Sequence, residues 1–285
     1  MVLILQDRCD QLFIRYLCSS YKSVIIMTKK RELLILITND DGLKAKGLKS
    51  LVNVVKPLGR IFVVSPTEAH SGMSHAITVK VPLRVKKIKE DNNITIYGCN
   101  GTPVDCVKLG FSQILPRKPD LLLAGINHGS NTAASIFYSG TMAAALEGRI
   151  NEIPSVGISL VSHNPDADLT ATEFYSKKII HKLIENGLSK PICLNVNVPD
   201  IPLEEIKGIK VCRQTKGYWQ EEFEKRTDPQ GNKYFWLTGK FHNSEPEAPD
   251  TDEWALKNHY VSVVPAQVDL TSYETIRIIQ NWNFI

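Results

Sequence analysis

Several features of membrane, secreted and nucleic-acid-binding proteins are missing from this 285-residue chain. It carries six cysteines but no Cys-x-x-Cys pair, so we expect neither a disulfide framework nor a zinc site, and we predict a reducing, cytoplasmic location. The formal net charge of +4 is small for this length and argues against a nucleic-acid polymer as partner. No uninterrupted apolar run is long enough to cross a bilayer, and we predict no association with membranes.

The first 26 residues differ from the rest of the chain. Their short apolar pieces are interrupted by charged residues, and they lack the unbroken apolar centre of a signal peptide. Met27 stands shortly before the first clear strand and resembles a natural start. We therefore expect residues 1–26 to be an upstream extension, either a misassigned start or an amphipathic appendage, followed by a single domain at 27–285.

The most informative stretch of the chain ends in two adjacent aspartates. Residues 33–38 form an apolar run without alternation, which is typical of a strand buried on both faces, and Asn39, Asp40, Asp41 and Gly42 follow it. Two neighbouring carboxylates at the end of a buried strand are unfavourable unless a cation lies there. Carboxylate oxygens suit Mg²⁺, Mn²⁺ or Ca²⁺. The alternative interpretation is a turn with solvated side chains.

The remainder of the chain alternates predicted strands and helices, which favours an α/β fold with a parallel sheet. We predict strands at 33–38, 60–66, 119–126, 154–160, 191–199 and 260–265, with further strands at 76–89 and 94–99. We predict helices at 47–57, 102–115, 139–148, 169–186 and 252–257. The core spans about 33–200, a polar and aromatic stretch at about 211–240 predicts a hairpin or arm, and a C-terminal segment covers about 245–285.

Three of the predicted strands end in polar residues that a parallel sheet would bring to one edge. Asp40 and Asp41 follow the first strand, Ser71 lies in the loop after the second, and Asn127 and Asn131 follow the third. Two carboxylates, a hydroxyl and an amide oxygen would form an all-oxygen site for a hard divalent cation.

A second feature is the start of the helix predicted at 139–148, which Ser139, Gly140 and Thr141 open. Backbone N–H groups and hydroxyls at a helix start suit a phosphate, which the helix dipole also favours. An ordinary N-cap explains the same residues equally well. A cation beside a phosphate pocket favours phosphoryl chemistry.

Seven short motifs, in order along the chain, resemble the SurE family of nucleotidases. They lie at 38–42, 71–74, 101–106, 125–131, 138–148, 194–199 and 260–265, and the resemblance covers about residues 33–270. It implies a three-layer, Rossmann-like α/β fold and a metal-dependent phosphatase acting on nucleoside 5′-monophosphates, with 3′-monophosphates as an alternative substrate. It also implies a homodimer or homotetramer formed through an extended hairpin and a swapped C-terminal segment.

The resemblance also assigns residues to roles. For one Mg²⁺ or Mn²⁺ ion it implies the ligands Asp40, Asp41, Ser71 and Asn127. For the substrate phosphate it implies Asn131, Ser139, Gly140 and Thr141. Our candidates for catalysis are Asp40, Asp41 and Asn131, and the identity of the general base stays open.

Two other classes of function are alternatives to a nucleotidase. Aspartyl-phosphate phosphatases usually carry Asp-x-Asp after their first strand, whereas Asp40 and Asp41 are adjacent, which argues against that chemistry. A non-catalytic nucleotide or metal sensor is compatible with the same residues, because a fold does not dictate an activity.

Overall fold

A nine-stranded mixed sheet organises the chain. The computed structural model describes residues 31–188, 191–282 and 284, and Leu33–Ile285 is one compact unit. The extension predicted at 1–26 lies outside the described residues. Among these residues, no helix combines the length and apolar character needed to span a membrane.

The elements follow the predicted alternation. The strands are β1 (Leu33–Thr38), β2 (Gly59–Pro66), β3 (Val85–Asp91), β4 (Ile94–Cys99), β5 (Leu121–His128), β6 (Ser155–Val161), β7 (Cys193–Pro199), β8 (Gly208–Val211), β9 (Gly217–Thr227), β10 (Lys233–Asn243) and β11 (Tyr260–Ala266). The helices are α1 (Lys46–Val55), α2 (Pro103–Leu109), α3 (Gly140–Ile150), α4 (Thr170–Glu185), α5 (Asp252–Lys257) and α6 (Tyr273–Ile279).

The sheet has the strand order β3-β4-β2-β1-β5-β6-β7-β11-β8. Strands β4, β2, β1, β5, β6 and β7 run parallel, so their carboxyl ends share one edge. Strands β3 and β11 run antiparallel to their neighbours β4 and β7. The arm predicted at about 211–240 is the separate antiparallel hairpin β9–β10.

Helices cover both faces of the sheet, which confirms the predicted three-layer α/β architecture. On β1, Ile35 and Ile37 pack in the core that includes α1 and α4, whereas Leu34 and Leu36 pack in the core that includes α2 and α3. Burying an aliphatic side chain of this size contributes about 1.5–3 kcal/mol. The absence of alternation at 33–38 thus reflects a strand that is buried on both sides.

The start of α2 confirms one predicted helix boundary. Thr102 Oγ1 accepts a hydrogen bond from the Asp105 N–H at 3.1 Å, and Asp105 Oδ2 accepts one from the Thr102 N–H at 2.9 Å. This capping box satisfies two donors that a helix end would otherwise leave unpaired. The predicted helix to about residue 115 is α-helical only to Leu109 and then continues as a π-helix over Gly110–Ile114.

The prediction of a strand at 76–89 was wrong for residues 76–84, because the strand that pairs with β4 is Val85–Asp91. Upstream, the Thr78 N–H donates to Asp105 Oδ1 at 3.0 Å and the Ala76 carbonyl accepts from Thr102 Oγ1 at 2.8 Å. This backbone therefore bonds to the start of α2 instead of a strand, and Pro82 has no N–H to offer a ladder. Strand β8 and helix α6 were not predicted.

Candidate active site

A tight turn presents the two aspartates beyond the end of β1. Asn39 Nδ2 donates to the Gly42 carbonyl at 3.0 Å, and Asn39 Oδ1 accepts from Ser65 Oγ at 2.7 Å. Gly42 has φ +92°, and a Cβ there would lie 3.1 Å from the Glu68 carbonyl carbon. The position therefore favours glycine for both conformation and space. Consecutive side chains point to opposite faces only within a strand. Because β1 ends at Thr38, this alternation does not apply to the two carboxylates.

Asp40 packs against the first turn of α3. Thr141 Oγ1 donates a short hydrogen bond to Asp40 Oδ1, and both residues are buried. A Cβ on Gly140 would lie 2.9 Å from the Cβ of Asp40, so only glycine allows the helix to approach this closely. Ser139 Oγ accepts from the Met142 N–H at 3.0 Å and caps the helix. The two predicted groups, aspartates and helix start, therefore meet at Asp40.

Burial dominates the electrostatics of this carboxylate. Asp40 is 3% exposed, and burial raises its pKa from 3.8 to about 6, against the lowering effect of the Thr141 hydrogen bond. The neighbouring Asp41 carboxylate raises the pKa of Asp40 further. The pKa of Asp41 is itself raised, again mainly by burial.

Asp41 lies beside the end of β5. Its Oδ2 accepts from the His128 N–H at 3.3 Å. Asn127, the residue before, donates through Nδ2 to the Gly129 carbonyl at 2.8 Å. Asn127 is also buried, and in the described part of the chain no hydrogen bond engages its Oδ1.

The loop that carries Ser71 packs on the aspartate turn through its backbone. The His70 N–H donates to the Asp40 carbonyl at 2.7 Å. Ser74 Oγ donates to the Phe137 carbonyl at 2.6 Å, which ties the loop to the segment just before α3. Ser71 itself is exposed, and within the described residues no hydrogen bond joins its side chain to Asp40 or Asp41.

Asn131 is held by the sheet rather than by the aspartates. Its N–H donates to Asn197 Oδ1 at 2.8 Å, its carbonyl accepts from Asn195 Nδ2 at 2.7 Å, and its Nδ2 donates to Ser159 Oγ at 2.8 Å. Sequence reasoning missed these three partners. The signal was available on β7, where Asn195 and Asn197 alternate with apolar residues in an otherwise buried strand.

The C-terminal half of the chain clamps the same loop at Ala133. This residue has a left-handed φ of +46° although it is not glycine. Its N–H donates to Asp252 Oδ2 at 3.0 Å, and its carbonyl accepts from Gln214 Nε2 at 2.7 Å. Asp252 is buried and also accepts from the Thr215 N–H at 3.0 Å, so the clamp includes the base of the arm.

The donor set fits a hard divalent cation. Two neighbouring carboxylates lie at the edge of a sheet, and no lysine, arginine or histidine among the described residues forms an ion pair with Asp40 or Asp41. Such a pair is unfavourable without a compensating charge. The described residues contain no cluster of three or more His, Cys, Asp or Glu side chains, so a cation here would depend on amide and hydroxyl oxygens as well.

Comparisons with known proteins agree on one family. A family model described as "Survival protein SurE" matches residues 35–221. A protein of Christiangramia forsetii named 5′-nucleotidase SurE is 50% identical over 259 residues, which cover 90% of this chain and 99% of that protein. A protein of Flavobacterium psychrophilum with the same name is 48% identical over 251 residues, covering 88% of this chain and 97% of that protein.

A solved structure matches the fold as well as the sequence. The crystal structure of the SurE protein from Aquifex aeolicus superposes with a TM-score of 0.75 at 39% sequence identity. The match covers 87% of this chain and 98% of that one.

Proposed function

Because the chain belongs to the SurE family, we propose that it is a 5′-nucleotidase that hydrolyses nucleoside 5′-monophosphates to a nucleoside and inorganic phosphate. The single observation that carries the proposal is the meeting of Asp40 with the first turn of α3. Within that contact, a buried carboxylate suited to a cation and a helix start suited to a phosphate lie side by side. Relatives named 5′-nucleotidase SurE, matched over 97–99% of their own length, support the substrate class.

We propose one divalent cation, Mg²⁺ or Mn²⁺, held by the set Asp40, Asp41, Ser71 and Asn127. When bound, such a cation supplies positive charge that polarises phosphoryl oxygens and acidifies a water molecule. Thr141 holds the Asp40 carboxylate in one orientation through its hydroxyl. Asn127 Oδ1, which no hydrogen bond from the described residues engages, is an amide oxygen of the required kind.

We propose that Asn131, Ser139, Gly140 and Thr141 hold the phosphate. The first N–H groups of α3 have no intrahelical partners and carry the positive end of the helix dipole. Ser139 Oγ accepts the capping bond from Met142 and still has its own hydrogen to donate. The Thr141 hydroxyl already donates to Asp40, so its contribution to the phosphate comes through the backbone.

Of the two carboxylates, Asp41 is the better general base. Asp40 is nearly fully buried and its Oδ1 is occupied by Thr141, whereas Asp41 is only partly buried. In the part of the chain that the structure describes, the one hydrogen bond to the Asp41 side chain reaches Oδ2, which leaves Oδ1 to accept a proton.

We further propose a homodimer or homotetramer in the cytoplasm. The arm exposes large apolar side chains, among them Phe223, Phe235 and Trp236, that a second copy of the chain would cover. Cys99, Cys106, Cys193 and Cys212 are free thiols, which fits a reducing compartment.

The test is phosphate release from AMP by the purified full chain. We expect exhaustive dialysis against EDTA to abolish release and added Mg²⁺ or Mn²⁺ to restore it. The two positional isomers, 5′-AMP and 3′-AMP, would be assayed side by side, and we expect faster turnover of 5′-AMP. Full activity after dialysis would contradict the cation, and binding of AMP without turnover would favour the sensor.

A further inference from the structure

Three buried polar side chains lie beneath Asn131. Ser159 and Asn197 are 0% exposed and Asn195 is 2% exposed, on the central strands β6 and β7. Burying a polar group is unfavourable unless it is hydrogen-bonded, so apolar residues would be the ordinary choice in these strands. Each of the three donates to or accepts from Asn131. Three buried polar side chains of the sheet therefore form hydrogen bonds with a single loop residue.

The two asparagines on β7 orient each other. Asn197 Nδ2 donates to Asn195 Oδ1 at 3.0 Å. This bond turns Asn197 Oδ1 toward the Asn131 N–H and Asn195 Nδ2 toward the Asn131 carbonyl. Neither amide can flip without setting like atoms against each other. The N–H and the carbonyl of Asn131 are thus both hydrogen-bonded by side-chain amides whose orientation is fixed.

Ser159 fixes the side chain of Asn131. Its Oγ accepts one of the two hydrogens on Asn131 Nδ2. Because a carboxamide is planar, fixing one N–H also fixes the direction of the second N–H and of Oδ1. In the described residues, neither of these two groups of Asn131 has a hydrogen-bond partner, so both remain available to a ligand.

We propose that Ser159, Asn195 and Asn197 are positioning residues that hold the Asn131 amide in the orientation that binds the phosphoryl group of the substrate. This inference rests on the proposed function and on the role of Asn131 within it. The three side chains are buried below the loop and act through Asn131, not on the substrate. Preorganised donors of this kind are effective because they do not have to reorient when the substrate binds.

The test is a double-mutant cycle on Ser159 and Asn131. Ser159→Ala removes only the partner of the Asn131 side chain, and Ser262→Ala is the matched control. Ser262 is a fully buried serine on β11, opposite Asn197 in the sheet, and its hydroxyl has no hydrogen-bond partner among the described residues. Steady-state hydrolysis of AMP gives kcat and KM, and calorimetric titration with inorganic phosphate gives the phosphate affinity.

We expect Ser159→Ala to raise KM and weaken phosphate binding, each by about tenfold, the effect of losing one well-placed hydrogen bond to a charged group. In the Asn131→Ala background the same change should alter either value by less than about twofold, because the residue through which Ser159 acts is gone. Ser262→Ala should match the wild type. If Asn131→Ala hydrolyses AMP too slowly for kinetics, the phosphate affinity from calorimetric titration still gives all four values of the cycle.

A purely structural role predicts a different pattern. Loss of folded protein would lower kcat in proportion and leave KM and phosphate affinity unchanged, and that result would overturn the inference. Equal effects of Ser159→Ala with and without the Asn131 side chain would also overturn it. Asn197→Asp is an isosteric second variant that sets an oxygen against Asn195 Oδ1, and we expect a raised KM. A wild type that releases no phosphate from AMP would instead contradict the proposed function itself.

Discussion

Replacing Asp40 by asparagine should make the cation-free protein more stable while it abolishes activity. Asp40 is 3% exposed, and burial raises the pKa of its carboxyl from 3.8 to about 6. At 1.36 kcal/mol per pKa unit, this difference corresponds to about 3 kcal/mol. Asparagine has nearly the same shape, and its Oδ1 can still accept the Thr141 hydroxyl, but it carries no charge to bury.

The sign of the pH dependence follows from proton linkage. Because the pKa is higher in the folded state, the folded protein binds the Asp40 proton more tightly than the unfolded chain does. The free energy of unfolding of the wild type should therefore fall by up to about 3 kcal/mol as pH rises from about 4 to about 6, and stay lower above that. Asp40→Asn lacks this contribution, so its advantage grows between about pH 4 and pH 6 and is complete above that.

The assay is urea unfolding at pH 4.5 and pH 7.5 in EDTA, at one protein concentration, with tryptophan fluorescence as the readout. Asp200→Asn is the matched control, since it removes an exposed aspartate just after β7. Mn²⁺ at a thousand times its Kd should reverse the order of stabilities at pH 7.5, because it adds about 4.1 kcal/mol to the protein that binds it, more than the wild type loses by burying the Asp40 charge. Equal pH dependence of wild type and Asp40→Asn in EDTA would refute the reasoning.

Three further predictions test the site and the chain boundary. Asp41→Asn should lower kcat by at least about 100-fold, a typical effect of losing a group that stabilises the transition state; phosphate release at saturating AMP measures it, and an unchanged kcat removes Asp41 from the site. If Ser139 only caps α3, Ser139→Ala should lower the free energy of unfolding by about 1 kcal/mol and Tm with it. If Ser139 binds the phosphate, kcat/KM should fall while Tm stays nearly constant. A shorter chain that starts at Met27 should match the full chain in Tm, oligomer mass and kcat, because the proposed ligands and all described strands follow Glu32; aggregation would contradict this boundary.

Much of the core could be predicted because its signals are local. The apolar run at 33–38 gave β1, and Thr102 and Ser139 gave the starts of α2 and α3. Each of these signals lies within a few residues of the feature it predicts. Their physical causes, burial on two faces and unpaired N–H groups at a helix end, are local as well.

The missed features depend on partners distant in sequence. Residues 76–84 alternate like a strand but bond to Thr102 and Asp105 instead. Strand β8 is a four-residue edge strand whose place is defined by β11. The contacts of Asn131 with Asn195 and Asn197 join residues more than 60 positions apart, and the order of β5, β6 and β7 in the sheet brings them together. The proposed metal and phosphate ligands remain predictions.

The clamp on Ala133 has a consequence for the order in which the site forms during synthesis. Ala133 and its partner Asp252 are 119 positions apart. At about 5–20 residues per second, Asp252 emerges from the ribosome roughly 6–24 s after Ala133. Strands β1, β2, β5 and β6 can associate during that interval, but the left-handed turn next to Asn131 lacks the carboxylate that holds it. The loop that carries Asn131 and Ala133 is therefore completed late in translation, after strands β1, β2, β5 and β6.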